Sequence, residues 1–589
     1  MDYDNATSLP EIFFANTAEI GDRPFLWTKR QGEWQPMTGT EAHDRAAAMS
    51  NALIALGVRK GDRVALVSES RPDWMVADIA IMTTGGISVP TYTTNQISDH
   101  IHVLQDSGAK GAIVSGDTLA ENLLPAALEI GLEFIISMAP LSNSPDSLSV
   151  LLWDDLIAEN THQAPDTSGI LRDDTSCLIY TSGTGGSPKG VMLSHGSIIS
   201  NCKGAYDLLS KLGLEEEKFL SFLPLSHSYE HTAGLMFPMS IKAQVYYAEG
   251  VDKLAANMEE VSPTIMTAVP RLYETMHGRI TRGIQQKGGL SEKLFMKAVE
   301  IGRKRYEGNG MSLGEALLDP LLTRLVRKKV SGRFGGRLKA MVSGGAPLNY
   351  DIGTFFEALD VPLFQGYGQT EAAPLISCNL PHKNKFHTVG PKLVDVDLKI
   401  ANDGEILVKG ELVMQGYWNM PDATAEAITG GWLHTGDIGE VDEDGFLTIT
   451  DRKKDIIVNA GGDNIAPQRI EGFLTLQPEI AQAMVYGDNK PNLSALIVPD
   501  SDFVDDWAKE NSKTKDIGAL VVDDEFRKSI SAALDRVNAD LSVIEKVRRF
   551  VLIEEAFTIE NEMMTPSLKI RRHIIKSRYG DLLEALYVR

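Results

Sequence analysis

The sequence contains few cysteines and no long hydrophobic run. Its three cysteines, Cys177, Cys202 and Cys378, lie far apart among the 589 residues and form no Cys-x-x-Cys pair. This pattern argues against a disulfide framework and a cysteine-ligated zinc site, and it favours small buried side chains in a reducing compartment. The N-terminal stretch "MDYDNATSLPEIF" lacks a signal-peptide core, and no apolar run is long enough to span a bilayer. We therefore expect a cytoplasmic protein.

An excess of basic residues is also missing. Lysine and arginine total 57 against 80 aspartates and glutamates, which gives a formal net charge of -23. A general nucleic-acid-binding protein would usually be basic, so we expect no nucleic-acid partner. A local basic pocket for an anionic ligand stays compatible with this charge. The length exceeds what a single core supports, and it predicts two or more domains.

The distribution of apolar runs predicts an α/β fold. From about residue 60 to 370, short β-branched or apolar runs alternate with helix-like stretches, which indicates mainly parallel sheets flanked by helices. Between about 385 and 450, two runs that turn at Asp-Gly predict hairpins and a small β unit. We predict a large N-terminal domain, 1–452, whose β-rich subdomain covers about 385–450. A smaller α+β C-terminal domain would occupy 453–589.

The segment "YTSGTGGSPKG", residues 180–190, has the composition of a phosphate-binding loop. Glycines and small residues let backbone N–H groups converge on an anion, and a lysine adds a positive charge. The P-loop spacing fails because Pro188 stands where the second glycine is needed, and Gly190 follows Lys189. The dinucleotide fingerprint G-x-G-x-x-G fails at Pro188 as well.

With the following "VMLSH", this segment resembles the phosphate-binding signature of the adenylate-forming enzymes, the superfamily of acyl-CoA synthetases, firefly luciferase and peptide-synthetase adenylation domains. The usual second threonine of that signature is Gly185 here. Further segments match the family in order: "VSGGAPL" (342–348), "GYGQTEA" (366–372), "WLHTGDIG" (432–439) and "DRKKD" (451–455). The resemblance covers nearly the whole chain, and it implies an ATP site.

The resemblance assigns roles to individual residues. Tyr367 would stack on adenine, Thr370 would reach the α-phosphate, and Asp437 with Arg452 would bind the ribose hydroxyls. Glu371 and Thr184 would hold Mg²⁺, which prefers oxygen ligands. The residues matched to ATP or AMP are Thr181, Ser182, Gly183, Thr184, Gly185, Lys189, Gly344, Gly345, Ala346, Gly366, Tyr367, Gly368, Thr370, Asp437 and Arg452.

The C-terminal residues are matched to a mobile domain. "MMTPSLKIRR" (563–572) resembles the lysine motif of the family, with Lys569 as the catalytic lysine of adenylate formation. Its ammonium would offset the repulsion between the attacking carboxylate and the α-phosphate. Lys454 matches the hinge about which this domain rotates between two half-reactions. Gly461 and Gly462 would line the path of coenzyme A.

The segment "SFLPLSHSYEH" (221–231) resembles the family segment whose aromatic or histidine residue gates the acyl site. The resemblance places His227 beside the substrate carboxylate. His227, Glu230 and His231 also spell the H-x-x-E-H pattern of some zinc peptidases, although the preceding Leu-Pro favours a loop rather than a helix. A structural hydrogen bond within the interior is a further interpretation of His231.

A helical insertion between residues 283 and 339 and the "FLPLSHSYEH" segment resemble the long-chain branch of the acyl-CoA synthetases. The insertion carries a run of cations without an acid: Arg324, Arg327, Lys328, Lys329, Arg333, Arg337 and Lys339. Such a run is usually a solvated helix face. The functional interpretations are a dock for an anionic membrane surface, which would place the protein at the inner face of a membrane, or for the 3′-phosphate of coenzyme A.

The sequence thus predicts an ATP- and Mg²⁺-dependent long-chain fatty acid–CoA ligase, with acyl-AMP as intermediate and coenzyme A as acceptor. Three alternatives stay open: a fatty acyl-AMP ligase that loads an acyl carrier protein, a zinc peptidase, and a non-catalytic nucleotide sensor. Chain-length preference, pathway and the choice between monomer and homodimer do not follow from the sequence.

Overall fold

The computed structural model of the chain describes residues 2–181, 187–453, 456–461, 463–559, 561–565 and 570–588. Two large sheets dominate its first two thirds, and both are mainly parallel, as the alternating pattern predicts. The first sheet has antiparallel pairs only at its two edges. In spatial order its strands are Leu375–Cys378, Leu363–Gly368, Ala340–Ser343, Ile265–Ala268, Lys218–Ser221, Gln244–Tyr247, Pro24–Arg30 and Glu33–Thr38.

The second large sheet ends in an antiparallel edge that holds the glycine-rich segment. There the strand Lys189–Ser194 pairs with Thr175–Thr181 on one side and with Gly416–Tyr417 on the other. The remaining pairs of this sheet are parallel. In spatial order its strands are Gly416–Tyr417, Lys189–Ser194, Thr175–Thr181, Ile87–Pro90, Arg63–Val67, Gly111–Val114, Phe134–Ser137 and Val150–Leu152.

One core connects the two large sheets. Side chains from both sheets pack into a single apolar cluster, to which Phe219 contributes from the first sheet and Val64 from the second. The helix Pro72–Thr83 is buried along its whole length within this cluster. Apart from Asp73, Asp78 and Thr83 its residues are apolar and lie on all sides, as expected for a helix surrounded by protein rather than by water.

Helices cover the remaining faces of the sheets. The helical pieces of the first two thirds are Leu9–Ile20, Gly39–Ala55, Pro72–Thr83, Ile97–Ser107, Asp117–Ile130, Trp153–Glu159, His195–Ser210, Glu230–Met236, Phe237–Ser240, Leu254–Val261, Pro270–Lys287, Gly289–Tyr306, Leu313–Leu322, Thr323–Arg327, Lys328–Arg333, Tyr350–Ala358 and Thr370–Ala372. The insertion expected between residues 283 and 339 is helical, and it packs on the outer side of the first sheet.

A smaller antiparallel sheet follows, in the region where the Asp-Gly turns predict hairpins. Its strands are Asp397–Ile400, Glu405–Lys409, Trp432–Val441, Ile428–Thr429 and Leu447–Arg452, with the helix Pro421–Ala427 beside them. Asp397–Ile400 pairs with Glu405–Lys409, and Trp432–Val441 pairs with Leu447–Arg452, as expected. The two Asp-Gly turns therefore close hairpins.

The C-terminal part has a two-stranded sheet, a three-stranded sheet and its own apolar cores. Its strands are Ile457–Val458, Asn464–Ile465, Ile480–Tyr486, Leu493–Pro499 and Val547–Leu552. Its helices are Pro467–Thr475, Ser501–Glu510, Ile517–Leu520, Asp524–Asp540 and Arg572–Ala585. The three cysteines are buried, as predicted. Among the described residues, no helix combines the length and the apolar character needed to cross a bilayer.

Candidate functional site

The glycine-rich segment joins the two antiparallel strands at the edge of the second sheet. Thr181 ends one strand, Lys189 begins the next, and the two residues are register partners. Ser182, Gly183, Thr184 and Gly185, which the sequence analysis matched to the triphosphate, lie outside the described residues.

Lys189 and Glu371 come together through a third residue, Tyr417. The Lys189 Nζ atom lies 4.8 Å from the centre of the Tyr417 ring, and the Tyr417 hydroxyl donates to Glu371 Oε1 at 2.8 Å. Burial and the neighbouring Glu371 carboxylate raise the pKa of Tyr417, so this hydroxyl keeps its proton and remains a donor. The predicted phosphate-binding lysine and the predicted metal-binding acid therefore contact the same tyrosine, Lys189 at its ring and Glu371 at its hydroxyl.

Thr370 lies beside the segment that carries His227. Its Oγ1 atom is 2.9 Å from Ser228 Oγ, and this pair is buried. The next residue, Tyr229, donates its hydroxyl to the carbonyl of Val342 at 2.8 Å. The predicted acyl-site segment is thus fixed against the ends of two neighbouring strands, where ligands of α/β proteins usually bind.

Asp437 is held from two sides. The Tyr367 hydroxyl donates to Asp437 Oδ2 at 2.6 Å, and Arg452 Nε donates to Asp437 Oδ1 at 3.0 Å. Asp437 and Arg452 are also register partners on adjacent strands. Burial, followed by the charge of Asp437, raises the pKa of Tyr367 well above its usual value. Each carboxylate oxygen has a second lone pair, so Asp437 could still accept hydrogen bonds from a diol.

The packing of the protein itself also explains why glycine occupies several positions in the predicted adenine and α-phosphate segments. A Cβ atom on Gly368 would lie 1.9 Å from the carbonyl oxygen of Pro374, and one on Gly344 would lie 3.0 Å from the Tyr229 ring. Gly345 has a φ of +82°, a region that favours glycine. Gly366 packs against the neighbouring strand, whereas Ala346 is exposed. Close backbone approach at Gly344 and Gly368 is therefore needed even without a ligand.

The predicted C-terminal site residues are described only in part. Gly461 is exposed, and its N–H donates to Asn459 Oδ1 at 2.8 Å. Gly462, Lys454 and Lys569 lie outside the described residues. Their roles, like the boundary at residue 453, stay predictions.

The H-x-x-E-H residues do not form a zinc site. His231 and Asp78 are both fully buried and lie 2.9 Å apart, which is the structural hydrogen bond considered for this histidine. Glu230 accepts from Ser221 Oγ at 2.6 Å and from Thr267 Oγ1 at 2.5 Å, and its burial raises its pKa to about 7. No group of three or more potential metal ligands of the His, Cys, Asp and Glu types occurs among the described residues.

The seven cations between residues 324 and 339 do not form one solvated helix face, because Arg327 is buried. This residue is 1% exposed, forms an ion pair with Asp319 at 2.7 Å, and donates to the carbonyls of Ala298 and Ala358. The sequence pattern missed this burial because the carbonyl acceptors come from other helices. Arg333 and Lys339 are paired with Glu259 and Glu217, whereas Arg324, Lys328, Lys329 and Arg337 are exposed.

Sequence reasoning also missed three residues of the site, namely Tyr417, Ser228 and Tyr229. The signal for Tyr417 was weak, an aromatic pair directly after Gly416. Its partner strand, Lys189–Ser194, lies more than two hundred residues earlier in the chain. Ser228 and Tyr229 stood inside the quoted acyl-site segment, but nothing in their spacing indicated their partners.

The described residues include donors suited to Mg²⁺. Glu371 supplies a carboxylate close to the strand that begins at Lys189, and Thr370 adds a hydroxyl one residue away. Mg²⁺ prefers such oxygen ligands and retains several waters, so one carboxylate beside phosphate oxygens can suffice. The donor set therefore fits a magnesium ion that is bound together with a nucleotide.

Solved structures identify the class of fold. The chain superposes on the adenylation and carrier-protein didomain of a carboxylic acid reductase from Segniliparus rugosus, in complex with AMP, with a TM-score of 0.79 at 21% identity, over 99% of this chain and 82% of that one. A carboxylate reductase adenylation domain from Mycobacterium chelonae gives a TM-score of 0.75 at 23% identity, over 99% and 92% of the two chains. The fold is that of an adenylation domain.

Sequence comparisons then identify the family. The AMP-binding enzyme family matches residues 13–418, and the AMP-binding enzyme C-terminal domain matches residues 454–589. The chain belongs to the AMP-binding enzyme family. It is 34% identical to the long-chain-fatty-acid–CoA ligase FadD15 of Mycobacterium tuberculosis, over 94% of this chain and 93% of that protein. Long chain acyl-CoA synthetase 7, peroxisomal, of Arabidopsis thaliana is 31% identical over 94% and 82% of the two chains.

Proposed function

We propose that this protein is a long-chain fatty acid–CoA ligase of the AMP-forming type. ATP and a fatty acid give acyl-AMP and pyrophosphate, and coenzyme A then displaces AMP to give acyl-CoA. The observation that supports this best is the set of contacts around residues 367–371, where Glu371 is linked to Lys189 through Tyr417 and Tyr367 donates to Asp437. Relatives named long-chain-fatty-acid–CoA ligase, similar over nearly the whole chain, support the choice of substrate.

ATP binding divides into two parts in this proposal. Asp437 and Arg452 bind the ribose, while Tyr367 and the backbone of 344–346 flank the adenine. Lys189 and the glycine-rich segment bind the β- and γ-phosphates. When bound, Mg²⁺ neutralises charge on the phosphates, with Glu371 and Thr184 as its protein ligands. Tyr417 positions both Lys189 and Glu371.

In the first half-reaction a carboxylate oxygen of the fatty acid attacks the α-phosphorus. The bond from that phosphorus to the bridging oxygen breaks, and its electron pair leaves with pyrophosphate. The role assigned to the Lys569 ammonium is to offset the repulsion between the two anions as charge develops. His227 orients the attacking carboxylate, and Thr370 donates to an oxygen of the α-phosphate.

The second half-reaction exchanges the acyl carrier. The thiolate of coenzyme A attacks the acyl carbon, the carbon–oxygen bond breaks, and AMP leaves with the electron pair. The C-terminal domain turns about Lys454 between the steps, so that Gly461 and Gly462 replace Lys569 near the adenylate. A cytoplasmic location, with contact to the inner face of a membrane, belongs to the same proposal.

The proposal is tested in two stages with the full-length protein. ATP–pyrophosphate exchange is measured first with fatty acids of increasing chain length, and the rate should rise for long chains. AMP release is then measured with coenzyme A, with a holo acyl carrier protein, or with no acceptor. Release that requires coenzyme A supports the ligase, whereas release that requires the carrier protein would replace it by a carrier-loading enzyme. If the protein binds nucleotide but catalyses no ATP–pyrophosphate exchange, the non-catalytic nucleotide sensor is the remaining interpretation.

A further inference from the structure

The helical insertion presents one unusual surface. Three consecutive helical pieces, Leu313–Leu322, Thr323–Arg327 and Lys328–Arg333, follow one another without a break. The Ser312 side chain accepts from the Glu315 N–H and the Glu315 side chain accepts from the Ser312 N–H, so a capping box starts the first piece at Leu313. We refer to residues 311–329 as the insertion face.

Large apolar side chains are exposed in a row along the insertion face. Leu313, Leu317, Leu321 and Leu325 are 88%, 83%, 48% and 38% exposed. A spacing of four residues keeps side chains on one side of a helix, so these leucines form a stripe rather than isolated exposed residues. Met311, just before the helix, is exposed as well. A contiguous stripe of this kind marks an interaction surface.

The charges along the same face are sorted by sign. The two acids point into the protein, because Glu315 is paired with Lys297 and Lys304, and Asp319 with Arg305 and Arg327. Arg324, Lys328 and Lys329 are exposed. Within residues 311–329, all of which the structure describes, no acidic side chain is exposed.

This local charge differs from that of the whole chain. Residues 308–350 contain seven cations and two acids, although the protein carries a net charge of -23. A solvated helix face in an acidic protein would normally carry both signs. The insertion face instead combines exposed leucines with exposed cations at one end, the pattern of a helix that lies in a membrane interface.

We propose that the insertion face docks on an anionic lipid surface, with the helix parallel to the membrane plane. The leucines enter the boundary between headgroups and acyl chains, and Arg324, Lys328 and Lys329 contact the negatively charged headgroups. A second copy of this chain is a poorer partner, because an antiparallel twofold contact through the stripe would place the cations of each copy beside the apolar start of the other, where no exposed acid is present to pair with them. The docking deepens the membrane contact that is part of the proposed function, but it needs no ATP, so its test is independent of ligase activity.

Vesicle flotation of the full-length protein tests this without substrates. Vesicles of pure phosphatidylcholine are compared with vesicles of equal parts phosphatidylcholine and phosphatidylglycerol. Wild type should float with the anionic vesicles, and added salt should weaken the binding. Removing the charges in R324Q/K328Q/K329Q should lower the partition coefficient by about fivefold per cation, or about a hundredfold in all.

The stripe is tested separately with L313S/L317S, which should lose about tenfold or more in partition to the same vesicles. Matched controls change residues of the C-terminal part that are also exposed, V522S/V543S for apolar side chains and K509Q/K528Q/R548Q for cations. Both controls should float like wild type, and thermal unfolding should be unchanged in all four variants.

Three results would overturn the proposal. The first is wild-type protein that does not float with anionic vesicles. The second is flotation by L313S/L317S, or by the triple charge variant, to the same extent as wild type. The third is a wild-type dimer, seen by light scattering, that becomes a monomer in L313S/L317S, because a second copy would then cover the stripe.

Discussion

Replacing Tyr417 by phenylalanine removes one hydroxyl group from the candidate site and leaves the ring in place. That hydroxyl donates to Glu371 Oε1 at 2.8 Å, whereas the ring faces Lys189 Nζ at 4.8 Å. Tyr417→Phe therefore separates the positioning of the proposed magnesium-binding acid from the contact to the lysine. Tyr417→Leu removes both.

The size of the effect follows from the kind of contact. A hydrogen bond to a charged group contributes about 1.5–3 kcal/mol, so its loss should lower kcat/KM for ATP by about tenfold to a hundredfold. Loss of the ring costs a further ~0.5–2 kcal/mol through the cation–π contact, or about two- to thirtyfold. We therefore expect Tyr417→Leu to be slower than Tyr417→Phe, and both to need more Mg²⁺ for half-maximal rate.

The assay is ATP–pyrophosphate exchange with a long-chain fatty acid over a range of Mg²⁺ concentrations. Tyr206→Phe is the matched control, because this tyrosine is exposed and its ring lies beside Tyr3 rather than beside a residue of the candidate site. It should behave as wild type. If Tyr417→Phe exchanges pyrophosphate at the wild-type rate at every Mg²⁺ concentration, Tyr417 does not position Glu371 for ATP, and the proposed site is wrong at this point.

Three further predictions concern Lys569 as the proposed catalytic lysine, the basic run and a buried acid. Lys569→Ala should abolish pyrophosphate exchange yet keep thioester formation from supplied acyl-AMP, measured by acyl-CoA yield; equal loss of both would contradict its assignment. Arg327→Met should lower the free energy of unfolding by about 3 kcal/mol, because Asp319 loses its nearer partner and two buried carbonyls lose a donor. The exposed control Arg333→Met should cost at most about 1 kcal/mol, and both are measured by urea denaturation. Burial raises the pKa of Glu230 from 4.5 to about 7, so the native state retains a proton that the unfolded chain releases. The contribution of Glu230 to stability should therefore fall between those pH values and stay low above them, while His100 and His195, whose pKa values burial lowers to about 4, contribute in the opposite direction. Glu230→Gln should remove this dependence, and equal pH profiles of unfolding for the two proteins would show that Glu230 does not titrate there.

The parallel sheets and hairpins could be predicted because their signals are local. The run at residues 63–67 is uniformly apolar after its first residue, and it forms a central strand of the second sheet. The Asp-Gly turns near residues 403 and 444 give hairpins, since such turns match the twist of paired strands. The composition of a few consecutive residues determines these strands and turns, so they can be predicted without knowing which distant segments pack against them.

The partners of individual side chains could not be predicted, because they depend on which segments fold against one another. Arg327 stands in a row of cations, and only the arrangement of neighbouring helices puts carbonyl oxygens and Asp319 around it. His231 suggested a metal pattern until Asp78, more than a hundred residues earlier, supplied its hydrogen bond. Charge and spacing along the chain carry no information about such contacts.

The position of Tyr417 also indicates which part of the enzyme moves. Lys189 belongs to the second sheet and Glu371 follows a strand of the first, and both sheets contribute to one apolar cluster. A rotation of one sheet against the other would separate the Tyr417 hydroxyl from Glu371 and disturb the packing around the fully buried helix Pro72–Thr83. We therefore expect the two sheets to stay fixed through both proposed half-reactions. The rearrangement between the two steps then falls to the C-terminal part, which has separate cores and carries Lys569.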